Sequence, residues 1–136
     1  MDCEKKFKHM DYIQNTISRM ASNSFMLKGW AVTLVSGIFV LASKDTEKMY
    51  FLLAYVPAVL FWLLDSYYLL QERLYRALYN KVKDSAEDDI DFDMNANKDE
   101  FRKGKNKYCC CLVSISELPF YVGLILVIAV VVFLTT

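Results

Sequence analysis

The sequence predicts an all-α integral membrane protein with three transmembrane helices, the first two extended into the cytoplasm as long amphipathic helices. Two observations carry this expectation. In a chain of 136 residues that is 55% hydrophobic, the apolar residues gather in three blocks instead of spreading with the periodicity of a soluble domain. Each block, 25–43, 49–70 and 118–136, approaches the ~20 residues a helix needs to cross a hydrocarbon core about 30 Å thick.

Residues 1–24 place Phe7, Met10, Ile13, Ile17 and Met20 three and four apart with charges between them. That spacing predicts a cytoplasmic amphipathic helix running towards the membrane and on into the first span. Ser22, Asn23 and Ser24 at the junction either bend or cap the helix or form a polar ring at the membrane surface. Because this start is polar and charged, the first span reads as an uncleaved anchor rather than a signal peptide.

The first span, 25–43, carries Lys28 and a stripe of small residues, Gly29, Thr33 and Gly37 with Ser36 beside it. Small residues every fourth position let helix backbones approach closely. The partner is either another helix of this chain or the same helix of a second copy. Facing a symmetry axis, Thr33 and Ser36 would be the polar groups lining a pore.

The outer loop, 44–48, is short enough to force an antiparallel hairpin with the second span, 49–70. Pro57 inside that span predicts a kink, since it lacks a backbone donor. Asp65 lies five residues inside the span's cytoplasmic end and Lys28 three residues inside that of the first. At ~1.5 Å per residue their depths agree to about one turn. An ionisable group at bilayer depth costs roughly 2.5 to 3.5 kcal/mol on insertion scales, so it usually faces protein or water. Three fates are open to the pair: a salt bridge locking the hairpin, a polar element lining a pore, or two side chains reaching separately for the interface.

The cytoplasmic segment, 71–117, begins with Leu74, Leu78 and Val82 four apart, so the second helix continues out of the membrane. Tyr75 and Tyr79 on it suit packing against the N-terminal helix or a surface for a partner. An acidic run, 84–93, holds six acids and no base, and Ile90 and Phe92 within it suit docking on an apolar surface. A basic stretch follows with Lys98, Arg102, Lys103, Lys105 and Lys107. These bases set topology, attract anionic headgroups at about 1 kcal/mol each, or contact the phosphates of an oligonucleotide. The acidic run beside them offers to neutralise the patch.

Trp30, Trp62, Tyr67 and Tyr68 lie towards the cytoplasmic ends of their spans, as an interfacial belt does. Cys109, Cys110 and Cys111 are consecutive and the chain has one histidine, so they lack the spacing of a zinc site. They read as small apolar residues entering the membrane. The third span, 118–136, holds no charge.

Lys and Arg flank the spans unevenly, with four before the first, two in the loop 44–48 and nine between the second and third. The positive-inside rule then places the N-terminus and 71–117 in the cytoplasm and the C-terminus outside. Cys3 and Cys109 to Cys111 fall on the reducing side, and no structural disulfide is expected. No nucleophile elbow, phosphate-cradling glycine loop or metal-binding histidine pair is present, so neither an enzyme nor a cofactor is expected.

Two stretches, LKGW at 27–30 and FWLLDSYYLLQERLYRALY at 61–79, resemble small multi-span bacterial membrane effectors of anti-phage defence operons, the Hailong-type transmembrane effectors most of all. The resemblance covers roughly residues 1–83. It implies a homo-oligomer, a tetramer, in the bacterial inner membrane, whose pore opening depolarises the infected cell. It also implies gating through the cytoplasmic region by a nucleotide or single-stranded DNA oligomer made by an operon-encoded nucleotidyltransferase. The alternative from the residues alone is a non-conducting scaffold that recruits a cytoplasmic partner through Tyr75, Tyr79 and the acidic loop.

Overall fold

The structure, a computed structural model, describes residues 2–44 and 48–135. The middle of the expected outer loop, residues 45–47, therefore lies outside the described residues. Those that are described form helices, turns and extended connections and no strand.

Helix α1 (Asp2–Ala42) runs unbroken through the amphipathic stretch and the first apolar block. At 1.5 Å per residue its 41 residues extend about 60 Å. Ser22, Asn23 and Ser24 do not interrupt it, and the hydroxyl of Ser24 accepts a hydrogen bond from Lys28 one turn on.

The second apolar block is two helices rather than one kinked helix. A short α2 (Lys48–Leu52) ends in a turn at Leu53–Ala54, and α3 (Tyr55–Asp84) starts beyond it. Pro57 explains the position of the break. It has no N–H for the Leu53 carbonyl, and its ring would crowd that carbonyl in a continuous helix. Placed in the first turn of α3, where backbone donors lack helical partners anyway, it costs little.

Helices α1 and α3 lie antiparallel along most of their length. Lys6 near the start of α1 donates to the carbonyls of Lys83 and Ser85 at the end of α3, whereas Lys28 further along α1 reaches Asp65. Between these ties Ile13 and Ile17 pack with Leu69, Leu70, Leu74, Leu78 and Val82 in the larger apolar core. Tyr75 and Tyr79 pack on the same core. A second cluster, Val35, Ala54, Ala58 and Ile128, lies at the other end, where two alanines let the backbones approach.

The connection 85–107 wraps this pair. Two 3-10 turns, Glu87–Asp89 and Asp99–Phe101, flank a ladder in which the Asp91, Asp93 and Asn95 side chains each accept from the backbone N–H two residues on. Ala96 and Phe101 are buried in the larger core, and Ile90 and Met94 pack at its edge. Gly104, at φ 58°, takes the left-handed conformation that a side chain disfavours.

A short α4 (Tyr108–Leu112) leads through a turn at Ser114–Glu117 into α5 (Leu118–Leu134). The stretches Cys3–Ala42 and Met49–Asp84 are each long and apolar enough to cross a membrane, and only 17% and 28% of their most apolar windows are buried within the chain. A core helix of a soluble protein would be mostly covered. The 17 residues of α5 extend about 25 Å, somewhat less than a bilayer's hydrocarbon core.

Candidate functional site

Three helices meet at Lys28. Its ammonium lies 2.6 Å from Asp65 Oδ2 on α3 and 3.0 Å from Glu117 Oε2 at the start of α5, and donates to Ser24 Oγ at 3.1 Å on its own helix. Three N–H donors thus face three partners. The side chains of Asp65 and Glu117 are 0% exposed, and that of Lys28 18%. The pair is therefore neither two side chains reaching separately for the interface nor a simple two-helix latch.

Around this knot the remaining acceptors are partly filled. Tyr121 Oη donates to Asp65 Oδ2 at 2.9 Å, and Ser116 Oγ to Glu117 Oε1 at 3.2 Å. Asp65 Oδ1 is buried with no hydrogen-bond partner among the described residues. With both carboxylates ionised, one ammonium faces two negative charges. Such an arrangement is sensitive to anything that moves α5, because displacing Glu117 alters the charge balance at once.

Local sequence explains how Glu117 arrives there. The turn 114–117 is closed by the N–H groups of Glu117 and Leu118, both donating to the Ser114 carbonyl, and Pro119 at the head of α5 starts the helix directly after the acid. On the other flank Trp62 stacks on Tyr121 with ring centroids 6.3 Å apart and donates through Nε1 to the Leu112 carbonyl. Trp62 is thus a brace between α3, α4 and α5 rather than an outward anchor. Trp30 and Tyr67 are exposed, as an interfacial belt requires.

Glu117, Tyr121 and Ser24 are absent from the expected site, and each had a signal. An acid two residues before Pro119, at the head of an apolar block, has no reason to be there unless it caps or pairs. Tyr121 carries the only hydroxyl in the body of that block, and a buried phenol needs a partner.

The stripe Gly29, Thr33, Ser36 and Gly37 lies on the outer face of α1, all four exposed. A Cβ added at Gly29 or Gly37 would meet nothing within 4 Å, so no helix of this chain occupies that face. Thr33 is satisfied within its own helix, donating to the Gly29 carbonyl at 2.8 Å.

The basic stretch does not form one patch. Lys98 lies 2.9 Å from Asp93 and 3.6 Å from Asp91, on the ladder. The Lys98 hydrogen bond, with the Asn95 N–H second, holds the Asp93 carboxyl below its ordinary range, and the Asp93 N–H does the same for Asp91. Arg102 leans on Asn97 at 3.4 Å, and Lys103, Lys105 and Lys107 are exposed. Four exposed bases therefore remain of the five.

The three consecutive cysteines differ in surroundings: Cys109 is exposed, Cys110 half-buried and Cys111 buried. Burial pushes the Cys111 thiol up, with Arg73 beside it opposing. Among the described residues no group of His, Cys, Asp and Glu side chains is set to hold a metal ion. No protein-family model, curated protein or solved structure matches the chain.

Proposed function

We propose that this chain is a three-pass effector of the bacterial inner membrane that assembles into a homo-oligomeric ion channel and depolarises the cell in anti-phage defence. The observation that carries the reading is the Lys28, Asp65 and Glu117 knot. It couples three helices by charge at one depth, where a shift of any one of them breaks the balance. The outward stripe of small residues on α1 supplies a face for close packing of a second copy.

In this reading the N-terminus and the 71–117 segment face the cytoplasm and the C-terminus lies outside. A nucleotide or DNA oligomer acting on the cytoplasmic helices biases two arrangements of the bundle. The exposed Arg102, Lys103, Lys105 and Lys107 are the bases of the 98–107 stretch left to contact phosphate. The tetrameric state and the defence setting rest on the resemblance of 27–30 and 61–79 alone. The scaffold reading has less surface to work with, because Tyr75 and Tyr79 pack on the chain's own core and Asp91 and Asp93 engage Lys98.

Flux through liposomes containing the purified protein tests the proposal. Wild type is expected to conduct. The double substitution Gly29→Ile with Gly37→Ile, at positions where an added Cβ meets no neighbouring atom of the chain within 4 Å, is expected to be helical, monomeric and silent. Inert wild-type liposomes, or flux undiminished in the monomeric variant, would overturn it.

A further inference from the structure

A groove of about 360 Å³ lies near the free end of α1, between its first turns and the connection that wraps α3. Lys5, Lys8, His9 and Tyr12 line one side, and Phe92 and Met94 the other. The four helix residues lie three and four apart, so they share one face. The volume is within the range of small-molecule sites, about 300 to 1,000 Å³.

Two features of this groove are unexplained by the fold. His9 is 5% exposed, and its Nε2 is buried without a hydrogen-bond partner among the described residues, a state that ordinarily costs stability. Phe92, which covers His9 edge-on with ring centroids 5.5 Å apart, sits at φ 51° although it is not glycine. A left-handed phenylalanine costs roughly 1 to 2 kcal/mol, and such residues gather at ligand clamps.

Charge decides what the groove accepts. No acid lines it. The two acids flanking Phe92, Asp91 and Asp93, engage Lys98. Lys8 at the rim over an aromatic wall favours an anion with a flat apolar body. A lipid headgroup is out of reach: Tyr12 precedes the first apolar block by thirteen residues, about 20 Å along a straight helix.

We propose that this groove binds a small planar organic anion, its ring against Tyr12 and Phe92 and its phosphate or carboxylate met by Lys8 and His9. Moving the Phe92 ring aside opens Nε2 to the ligand and releases the left-handed backbone. The site stands apart from conduction, and binding is read without any flux measurement.

His9 is the chain's only histidine, so its imidazole resonances report on the groove without ambiguity. The full chain in detergent micelles is titrated with 1-naphthyl phosphate and, separately, with its two halves, 1-naphthol and inorganic phosphate. Expected is a saturable shift of the His9 signals with the whole probe at concentrations where neither half gives one. Lys8→Gln, an exposed substitution, raises the midpoint about tenfold, the loss of one charge-assisted hydrogen bond. Phe92→Gly, which suits a left-handed backbone but lacks the ring, also weakens binding. An unmoved His9 signal, equal binding of 1-naphthol, or a midpoint indifferent to Lys8→Gln would each overturn the proposal.

Discussion

Near its start α1 meets α3 through Ile13, Ile17, Leu74, Leu78 and Val82, an apolar seam with the Lys6 ammonium tying only its outer end. Further along, the same two helices meet through an ammonium and a carboxylate, with α5 adding a second carboxylate and a phenol. In the three-pass arrangement proposed above, the difference follows from the solvent each end would meet. In water, burying leucine and isoleucine gains about 25 cal/mol per Å² and is drive enough to hold helices together. Among lipid tails that drive vanishes, and association rests on packing and on hydrogen bonds between helices. One helix pair thus carries two kinds of adhesive, each suited to its surroundings.

The largest expected effect breaks the polar end. Lys28→Met leaves two fully buried carboxylates facing each other, and removing one partner of a buried ion pair costs about 3 to 5 kcal/mol. Thermal unfolding in detergent is expected to show that loss, and Asp65→Asn with Glu117→Gln in the same chain to recover most of it. A Lys28→Met protein as stable as wild type would mean that the knot holds nothing. At the apolar end Leu74→Ala is expected to cost about 3 kcal/mol, the middle of the range for a fully buried leucine. That loss, unlike the first, is not recovered by neutralising any acid.

Tyr121→Phe sharpens the comparison at a smaller scale. It takes one donor from Asp65 while keeping the ring stacked on Trp62, and is expected to cost about 1.5 to 3 kcal/mol, the worth of a hydrogen bond to a charged group. Smallest is the effect of acid on the connection 85–107. Asp91 and Asp93 have folded values below the ordinary 3.8, so their contribution is complete above that value and fades as pH falls through the lowered ones. Amide exchange at Asp93 and Asn95, whose N–H groups these carboxylates accept, should therefore quicken only below about pH 4. Exchange unchanged down to pH 2 would detach the ladder from its carboxylates.

What the residues revealed in advance divides along the same line. Apolar blocks and the four-apart leucines of 74–82 announce long helices because burial and periodicity are properties of a single segment. Lys28 and Asp65 were found because a charge inside an apolar block stands out locally, and a short loop brings the two to one depth. Glu117 was not found, for its position depends on how α5 returns to the pair, a tertiary fact no spacing encodes. Pro57 announced a distortion, but whether a proline bends a helix or separates two depends on what the neighbouring backbone can pack against. Likewise the basic stretch looked uniform in sequence, and only the wrapped connection brings Lys98 to its two acids.

The unbroken course of α1 has a mechanical consequence. Lys28 pins it at a point with 26 residues on one side and 14 on the other, arms of about 39 Å and 21 Å. It is a lever with an unequal fulcrum, and a rotation of about 5° there sweeps the far N-terminal tip some 3 Å, roughly twice the travel of the opposite end. Read in the other direction, a modest force at the tip is multiplied nearly fourfold where Val35, about 10 Å beyond the pivot, meets Ile128.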